Sequence, residues 1–372
     1  MASTWTSPRS WRPRSRAAWP PWTRGRRRSC TCASRRCRGA AMRRILIVGC
    51  GAMGGIFAAH LAAVADVTAL DVNADHVQAI RGQGLRVEGP EPRTVPLRAV
   101  MSADELAGES FDALIFLTKS GQTGAAWSAL RAVLSGTPLL VTLQNGMGNS
   151  ETLQDGSDAP VARGITLDAG RYLGPGRVEH LIRGNTTWIG PMRGAVEDCD
   201  WLARLLSEAG MPAQAIADPM DAVWSKFIFN AVMNPVGALL LGVNRARYEV
   251  PQVRDLIDDL ARECMNVVAA LGGRLAFDPM QLVKQTRAGE RPITRHAGSM
   301  ALDIARGAPT EIEELTGFVV REGDRLGVDV TACRTVYRLV KGLELARAIQ
   351  LDDNVNHTVD DAVENKAPPP AR

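Results

Sequence analysis

Six residues, Gly49-Cys50-Gly51-Ala52-Met53-Gly54, restrict this chain more than any other feature. They follow an apolar run, Ile45-Leu46-Ile47-Val48, and precede a helical pattern that extends to about residues 60–64. A second strand-like run covers 67–71 and ends in Asp71, 22 residues beyond Gly49. The first glycine suits a tight turn, the second lets another group approach the backbone, and the third lets helix and strand pack closely. The N-terminus of the following helix then presents free N–H groups to an anion. A GxGxxG alone is a weak signal. Strand before, helix after and acid at the end of the second strand make it specific.

The pattern predicts a Rossmann-type α/β domain that binds a dinucleotide by its pyrophosphate, with Gly49, Cys50, Gly51, Ala52, Met53 and Gly54 as the phosphate loop. Asp71 stands where a carboxylate accepts the adenosine ribose hydroxyls. A carboxylate there repels the 2′-phosphate of NADP, so the local chemistry favours NADH.

Further apolar runs at 113–117 and 139–143 alternate with helix-like stretches, which implies a mainly parallel, doubly wound sheet. From 160 to 189, shorter alternating runs broken at Gly174-Pro175-Gly176 and Gly184-Asn185 read as antiparallel strands completing that sheet. After about Asp218 the strand signals stop. Helical periodicity then runs to about Gln350, interrupted at Gly272-Gly273, Gly307-Ala308-Pro309 and Gly327. The expected organisation is a dinucleotide-binding domain at 42–217, an all-α substrate and catalytic domain at 218–355, and a disordered tail at 356–372.

Hydrophobic residues make up 45% and charged residues 23%, enough apolar area for a real core. The longest strongly apolar stretch, 236–243, is eight residues with two glycines, far short of the ~20 that a membrane helix needs. The net charge of +4 is uneven. Residues 1–41 hold 11 Arg and no Asp, Glu or Lys, together with four of the eight Trp, four Pro and three Cys. This leader lacks the apolar core of an export signal, and its prolines interrupt a transit helix. It is expected to be translated upstream sequence or a disordered arm, with the native start at Met42. An arginine- and tryptophan-rich arm that binds nucleic acid is the weaker reading. Cys50, Cys199, Cys264 and Cys333 are scattered singly, as in a reducing cytoplasm, and no metal-ligand spacing occurs.

The segment from Ala222 to Pro235 is apolar apart from Ser225 and a polar stripe. Lys226, Asn230 and Asn234 are spaced i, i+4, i+8 and drift by only ~80° around a helix. A single charge and two amides on an otherwise buried cylinder should line a cleft. A lysine there is either a snorkelling cation or a working acid whose pKa is lowered by desolvation. Pro235 cannot donate to the carbonyl of Ala231, so the helix should bend or end near Asn234. Later, Ser299 to Glu313 reads as helix, glycine-proline turn and new helix, with Thr310 and Glu313 as a capping box. Glu311 then has two readings: a first-turn carboxylate favoured by the helix dipole, or a functional group.

These motifs together resemble the ketopantoate reductase (2-dehydropantoate 2-reductase) family over about residues 44–350. The resemblance is carried by Ile45 through Gly54, Leu117-Thr118-Lys119, Gln144-Asn145-Gly146-Met147-Gly148, Trp224-Ser225-Lys226 with Asn230 and Asn234-Pro235, and Ser299-Met300 with Asp303 and Pro309-Thr310-Glu311-Ile312. It implies that Lys226 protonates the ketone oxygen and that Glu311 orients Lys226 and the substrate hydroxyls. By the same resemblance, Asn230 and Asn234 bind hydroxyl and carbonyl oxygens, Ser299 binds the carboxylate, and Asn145 sits between nicotinamide and substrate. Lys119 lies on the cofactor side, and Asp303 is structural. NADPH is the family's expected cofactor, but its members place an arginine just past the second strand, where this chain has Asp71-Val72-Asn73.

The resulting expectation is a cytoplasmic, monomeric or homodimeric enzyme of pantothenate biosynthesis that reduces ketopantoate, with a small 2-keto acid as its partner. Neither membrane nor nucleic acid is expected. The alternatives are an NADH-dependent reductase of another branched 2-keto acid, or a non-catalytic dinucleotide sensor.

Overall fold

The computed structural model describes residues 42–293 and 297–364. The expectations for the 1–41 leader and for 365–372 fall outside the described residues. The chain opens with β1 (Arg44–Val48), α1 (Ala52–Leu61), β2 (Asp66–Leu70), α2 (Ala74–Gln83), β3 (Leu85–Glu88), β4 (Arg93–Val95) and β5 (Arg98–Val100). It continues through β6 (Ala113–Phe116), α3 (Thr123–Val133), β7 (Leu139–Thr142), α4 (Asn149–Gln154), β8 (Val161–Ile165), β9 (Ala169–Gly174) and β10 (Arg177–Ile182). β11 (Thr187–Arg193), α5 (Glu197–Glu208) and β12 (Ala213–Ala215) complete this half.

Eight strands form one sheet in the order β12-β11-β8-β7-β6-β1-β2-β5. All neighbouring pairs run parallel except β11 with β8. The buried runs Ile45 to Val48, Ala113 to Phe116 and Leu139 to Val141 are continuously apolar because helices cover both faces. The carboxyl ends of β1, β2, β6, β7 and β8 thus open onto one edge.

The 160–189 expectation holds for β8 and β11 and needs correction for β9 and β10. Those two join β3 and β4 in a separate four-stranded sheet, ordered β4-β3-β10-β9. The reason lies in α1, where every residue from Gly54 to Leu61 is buried. A helix that is apolar all round needs cover on both sides. The main sheet supplies one side and the small sheet the other. Gly55 leaves room for Val178 of β10, and Gly170 of β9 leaves room for Ile56.

The rest is helical: α6 (Met220–Leu239), α7 (Ala246–Glu249), α8 (Pro251–Ala270), α9 (Gln281–Arg287), α10 (Ser299–Arg306), α11 (Thr316–Leu326) and α12 (Thr331–Glu364). The expected interruptions at 272–273, 307–309 and 327 each follow a helix end. Both halves belong to one packed unit that begins at Met42. α6 is its centre, and Val223, Phe227, Ile228, Ala231, Val232 and Val236 pack into one core with residues of α8, α10, α11 and α12. Cys264 and Cys333, distant in sequence, meet in that core as free thiols with their Sγ atoms 3.8 Å apart.

Three expectations change here. α6 does not end near Asn234 but runs through Pro235 to Leu239, because the carbonyl of Ala231 that Pro235 cannot serve accepts the Thr316 hydroxyl at 2.9 Å. No helix starts at Thr310. Residues 311–315 form a turn in which the Leu315 N–H donates to the Glu311 carbonyl, and α11 begins at Thr316. Glu313 is drawn away from any capping role by the Tyr337 hydroxyl at 2.8 Å. The tail expected from 356 is helical as far as Glu364, because α12 meets no glycine or proline there and propagation from an established helix is favourable.

Replacing Thr316 by Val should leave the Ala231 carbonyl without a donor inside the core. A loss of about 1–3 kcal/mol in denaturant unfolding is expected, and an unchanged midpoint would contradict this account.

Candidate active site

The glycine loop is built as its spacing demands. Gly49 has φ +89°, and a methyl group there would lie 2.7 Å from the Thr118 nitrogen. One on Gly54 would lie 1.8 Å from the Gly49 carbonyl oxygen, so helix and turn close only on glycine. A methyl on Gly51 would meet nothing within 4 Å. That side of the loop is open at the N-terminus of α1, and the first turn there carries no acidic residue. A pyrophosphate fits this cradle.

Asp71 fastens the loop. One carboxylate oxygen accepts the Cys50 N–H at 2.8 Å and the other the Asn73 N–H at 2.9 Å. On the other face of the same residue, the Cys50 carbonyl accepts from Nε2 of buried His76 at 2.8 Å, while His76 Nδ1 accepts the Gly176 N–H at 2.9 Å. The two partners dictate the tautomer. The Cys50 thiol is buried, and burial with the Asp71 charge pushes its pKa far up, so it is a packing group. Ala52 and Met53 form the first turn of α1 and are half-buried.

The loops after β6 and β7 are tied to each other. Gln144 Nε2 donates to the Thr118 carbonyl at 2.8 Å and to the Thr123 hydroxyl at 2.8 Å. Asn149 Nδ2 donates to the Asn145 carbonyl at 3.1 Å. This network holds the Asn145 side chain over α6, where its Oδ1 accepts from Asn230 Nδ2 at 3.2 Å, and Asn145 also hydrogen-bonds Glu311. Gly146, with φ +79°, packs where a methyl would strike Glu314, and the Met147 N–H donates to the Glu314 carbonyl. The turn at 311–315 is therefore docked on the 144–148 loop.

Lys226 faces the same place. Its Nζ donates to the Thr166 carbonyl, just past β8, at 2.8 Å. Burial lowers its pKa to about 8; the Glu311 charge opposes the shift and the Arg163 charge adds to it. Glu311 is raised above the ordinary carboxylate value, chiefly by burial, against the pull of Lys119. Glu311 therefore acts on Lys226 through charge, while its hydrogen bond goes to Asn145. Lys119 reaches across from the β6 loop to Asp303 on α10 at 2.6 Å.

The structure thus brings together Lys226, Asn230, Asn145 and Glu311, with Lys119 and Asp303 beside them. Asn234 lies one turn further along α6, half-buried, and Ser299 is exposed at the start of α10. Among the described residues, no hydrogen bond joins either of them to that group. The stripe continues to Gly237, whose missing side chain is replaced by the guanidinium of Arg247, bonded to the Ala297 carbonyl at 2.7 Å. Sequence reasoning missed His76, Thr166, Arg163 and Arg247. No local pattern marks a carbonyl or an arginine that is buried only after folding.

A dinucleotide loop on a doubly wound sheet, together with a half-buried lysine that has carboxylate and amide neighbours, defines a nicotinamide-dependent oxidoreductase. The family model for ketopantoate reductase PanE/ApbA matches residues 45–194, and that for its C-terminal part matches 218–344. A 2-dehydropantoate 2-reductase of Halobacterium salinarum is 31% identical over 301 residues, covering 80% of this chain and 98% of the relative. The crystal structure of a PanE/ApbA family ketopantoate reductase from Ralstonia eutropha is 31% identical with a TM-score of 0.72, covering 82% of this chain and 99% of the other. The fold is also that of a D-mandelate dehydrogenase solved with NADH and anilino(oxo)acetate, at 24% identity and a TM-score of 0.75, covering 82% of this chain and 99% of that one. The chain belongs to the ketopantoate reductase family. Among the described residues, no helix is long and apolar enough to cross a membrane.

The two glycines should separate by substitution. Gly51→Ala is expected to leave thermal unfolding unchanged while weakening dinucleotide binding in a fluorescence titration. Gly54→Ala should destabilise the fold by about 1–3 kcal/mol through overpacking.

Proposed function

We propose that the protein is a 2-dehydropantoate 2-reductase of pantothenate biosynthesis, reducing ketopantoate to pantoate. The observation that carries this reading is the half-buried Lys226 ammonium grouped with Asn145, Asn230 and Glu311, the Asn145 loop being tied through Gln144 to Thr118, against which Gly49 of the glycine loop packs. A reduced nicotinamide held by the glycine loop would supply hydride to the ketone carbon. Negative charge then develops on the ketone oxygen, and the ammonium is the donor positioned to meet it with a hydrogen bond and a proton. A pKa near 8 suits the task, because the group is charged at neutral pH yet gives up its proton readily. Glu311 keeps a negative charge close to the ammonium, and Asn145 with Asn230 offers amide dipoles to the substrate's oxygens. Ser299 and Asn234, further along the cleft, would take the carboxylate and a hydroxyl.

For the cofactor we infer a preference for NADH over NADPH. Asp71 places a carboxylate at the end of β2, already bonded to the loop through Cys50, and Val72 beside it is exposed and uncharged. A 2′-phosphate would face that charge with no cation supplied by Val72 or Asn73.

The test is steady-state oxidation of NADH and NADPH with ketopantoate and other branched 2-keto acids. Lys226→Ala should lower kcat by about 10²- to 10⁴-fold while leaving cofactor affinity intact. Because the protonated lysine is the working form, kcat/KM should hold below pH 8 and fall as the pH rises through about 8. Wild-type turnover in Lys226→Ala would end this reading. Separately, kcat/KM is expected to be higher with NADH, and Asp71→Asn should narrow the ratio. A preference for NADPH in the unaltered protein would refute the cofactor inference, and turnover of a different keto acid alone would move the protein to another substrate within the family.

A further inference from the structure

Arg163 is a cation where none was expected. It lies on β8 opposite Thr142 of β7, and its side chain is only 2% exposed. Alternation along the strand puts it on the same face as Ile165, which packs into the core around α6. One residue past Ile165, the Thr166 carbonyl holds the Lys226 ammonium. β8 thus supplies a buried positive charge, and the residue that follows it supplies the acceptor that holds the lysine.

The guanidinium grips the loop after β7 and the start of α4 that follows it. Nη2 donates to the Gly146 carbonyl and touches the Met147 sulfur, while Nη1 donates to the Ser150 hydroxyl at 3.3 Å. Asn145, which receives Asn230 and bonds Glu311, stands immediately before the first grip. Among the described residues no carboxylate forms an ion pair with Arg163. Glu151 is reached only through Ser150, whose hydroxyl donates to it at 2.8 Å. Nε is buried with no hydrogen-bond partner. An unpaired buried cation costs free energy that a neutral side chain of the same size would not, so its retention calls for a use.

We propose that Arg163 is a positioning residue of the reaction: it locks the Asn145 loop through Gly146 and Ser150 and places a fixed buried charge three residues before the Thr166 carbonyl that holds Lys226. This rests on Lys226 being the acid. The charged groups acting on the lysine are few. Glu311 comes from the turn before α11 and Arg163 from β8; among the described residues α8, α10, α11 and α12 add none that acts on it directly. Asp303, Lys119 and Glu314 bear on Glu311 instead. Among the described residues Arg163 is thus the cation that opposes Glu311 at the ammonium, and its effect adds to that of burial.

The experiment is the pH profile of kcat/KM for ketopantoate in the wild type, Arg163→Met and Arg163→Lys, with Lys226→Ala as control. Removing the charge should move the falling alkaline limb of Arg163→Met upward by about half a pH unit or more, as expected for two charges coupled across a protein interior. Arg163→Lys keeps the charge but not the fork, so its limb should stay with the wild type while kcat falls, because one ammonium cannot span Gly146 and Ser150. A limb that stays put in folded Arg163→Met overturns the electrostatic half of the inference. Wild-type kcat in Arg163→Lys overturns the positioning half, and this variant decides alone if the methionine protein does not fold. Activity surviving in Lys226→Ala would instead remove the acid itself, so the two failures are distinct.

Discussion

A helix of twenty residues whose side chains are apolar on nearly every side persists in water only when other elements enclose it. α6 is such a helix, and enclosing it arranges the helical half of the molecule. α8, α10, α11 and α12 bring their apolar faces to it, and the remaining open strip carries Lys226, Asn230 and Asn234. The loops at the carboxyl ends of β7 and β8 close over that strip. The candidate site is therefore the part of α6 that packing leaves to polar groups, which is why a single lysine there can be desolvated and still find the Thr166 carbonyl.

Charge is distributed around it in alternation. Lys119 faces Asp303, Asp303 raises Glu311, Glu311 supports Lys226, and Arg163 opposes it. Each group is contributed by a different segment. Lys226 and Glu311 are among the buried members, where charge is felt more strongly than on a surface, so the protonation of the lysine depends on the relative placement of the sheet and the helices. Asn145 is the uncharged joint in this arrangement, bonded to Asn230 on one side and Glu311 on the other.

Much of this was legible in the sequence because its signals are local. The glycine spacing, the acid 22 residues beyond it and the i, i+4, i+8 stripe each depend on one element's geometry, and the structure builds the glycine loop and the Lys226–Asn230 part of the stripe as those spacings imply. The small sheet was not legible, because β3 and β10 are neighbours only in space and their alternation resembles that of β8 and β11. Pro235 misled for a related reason: the carbonyl it strands is rescued by Thr316, 85 residues from Ala231, and no local rule sees a partner so far away. Glu311 was readable as a helix-start carboxylate or as a functional one. What separates the two is the docking of its turn on the Gly146 loop, a tertiary contact. Arg163 gave no signal at all, since an arginine in a strand is ordinary until both sheet faces are known to be covered.

One consequence concerns the hairpin between β9 and β10. Turns of this kind are usually where a chain tolerates added residues, because they project into solvent and support nothing. Here the N–H of Gly176 in the turn holds His76, and His76 holds the Cys50 carbonyl of the dinucleotide loop. A surface turn more than a hundred residues away along the chain is thus a structural footing of the glycine loop, and changes in its length would travel inward to that loop instead of remaining at the periphery.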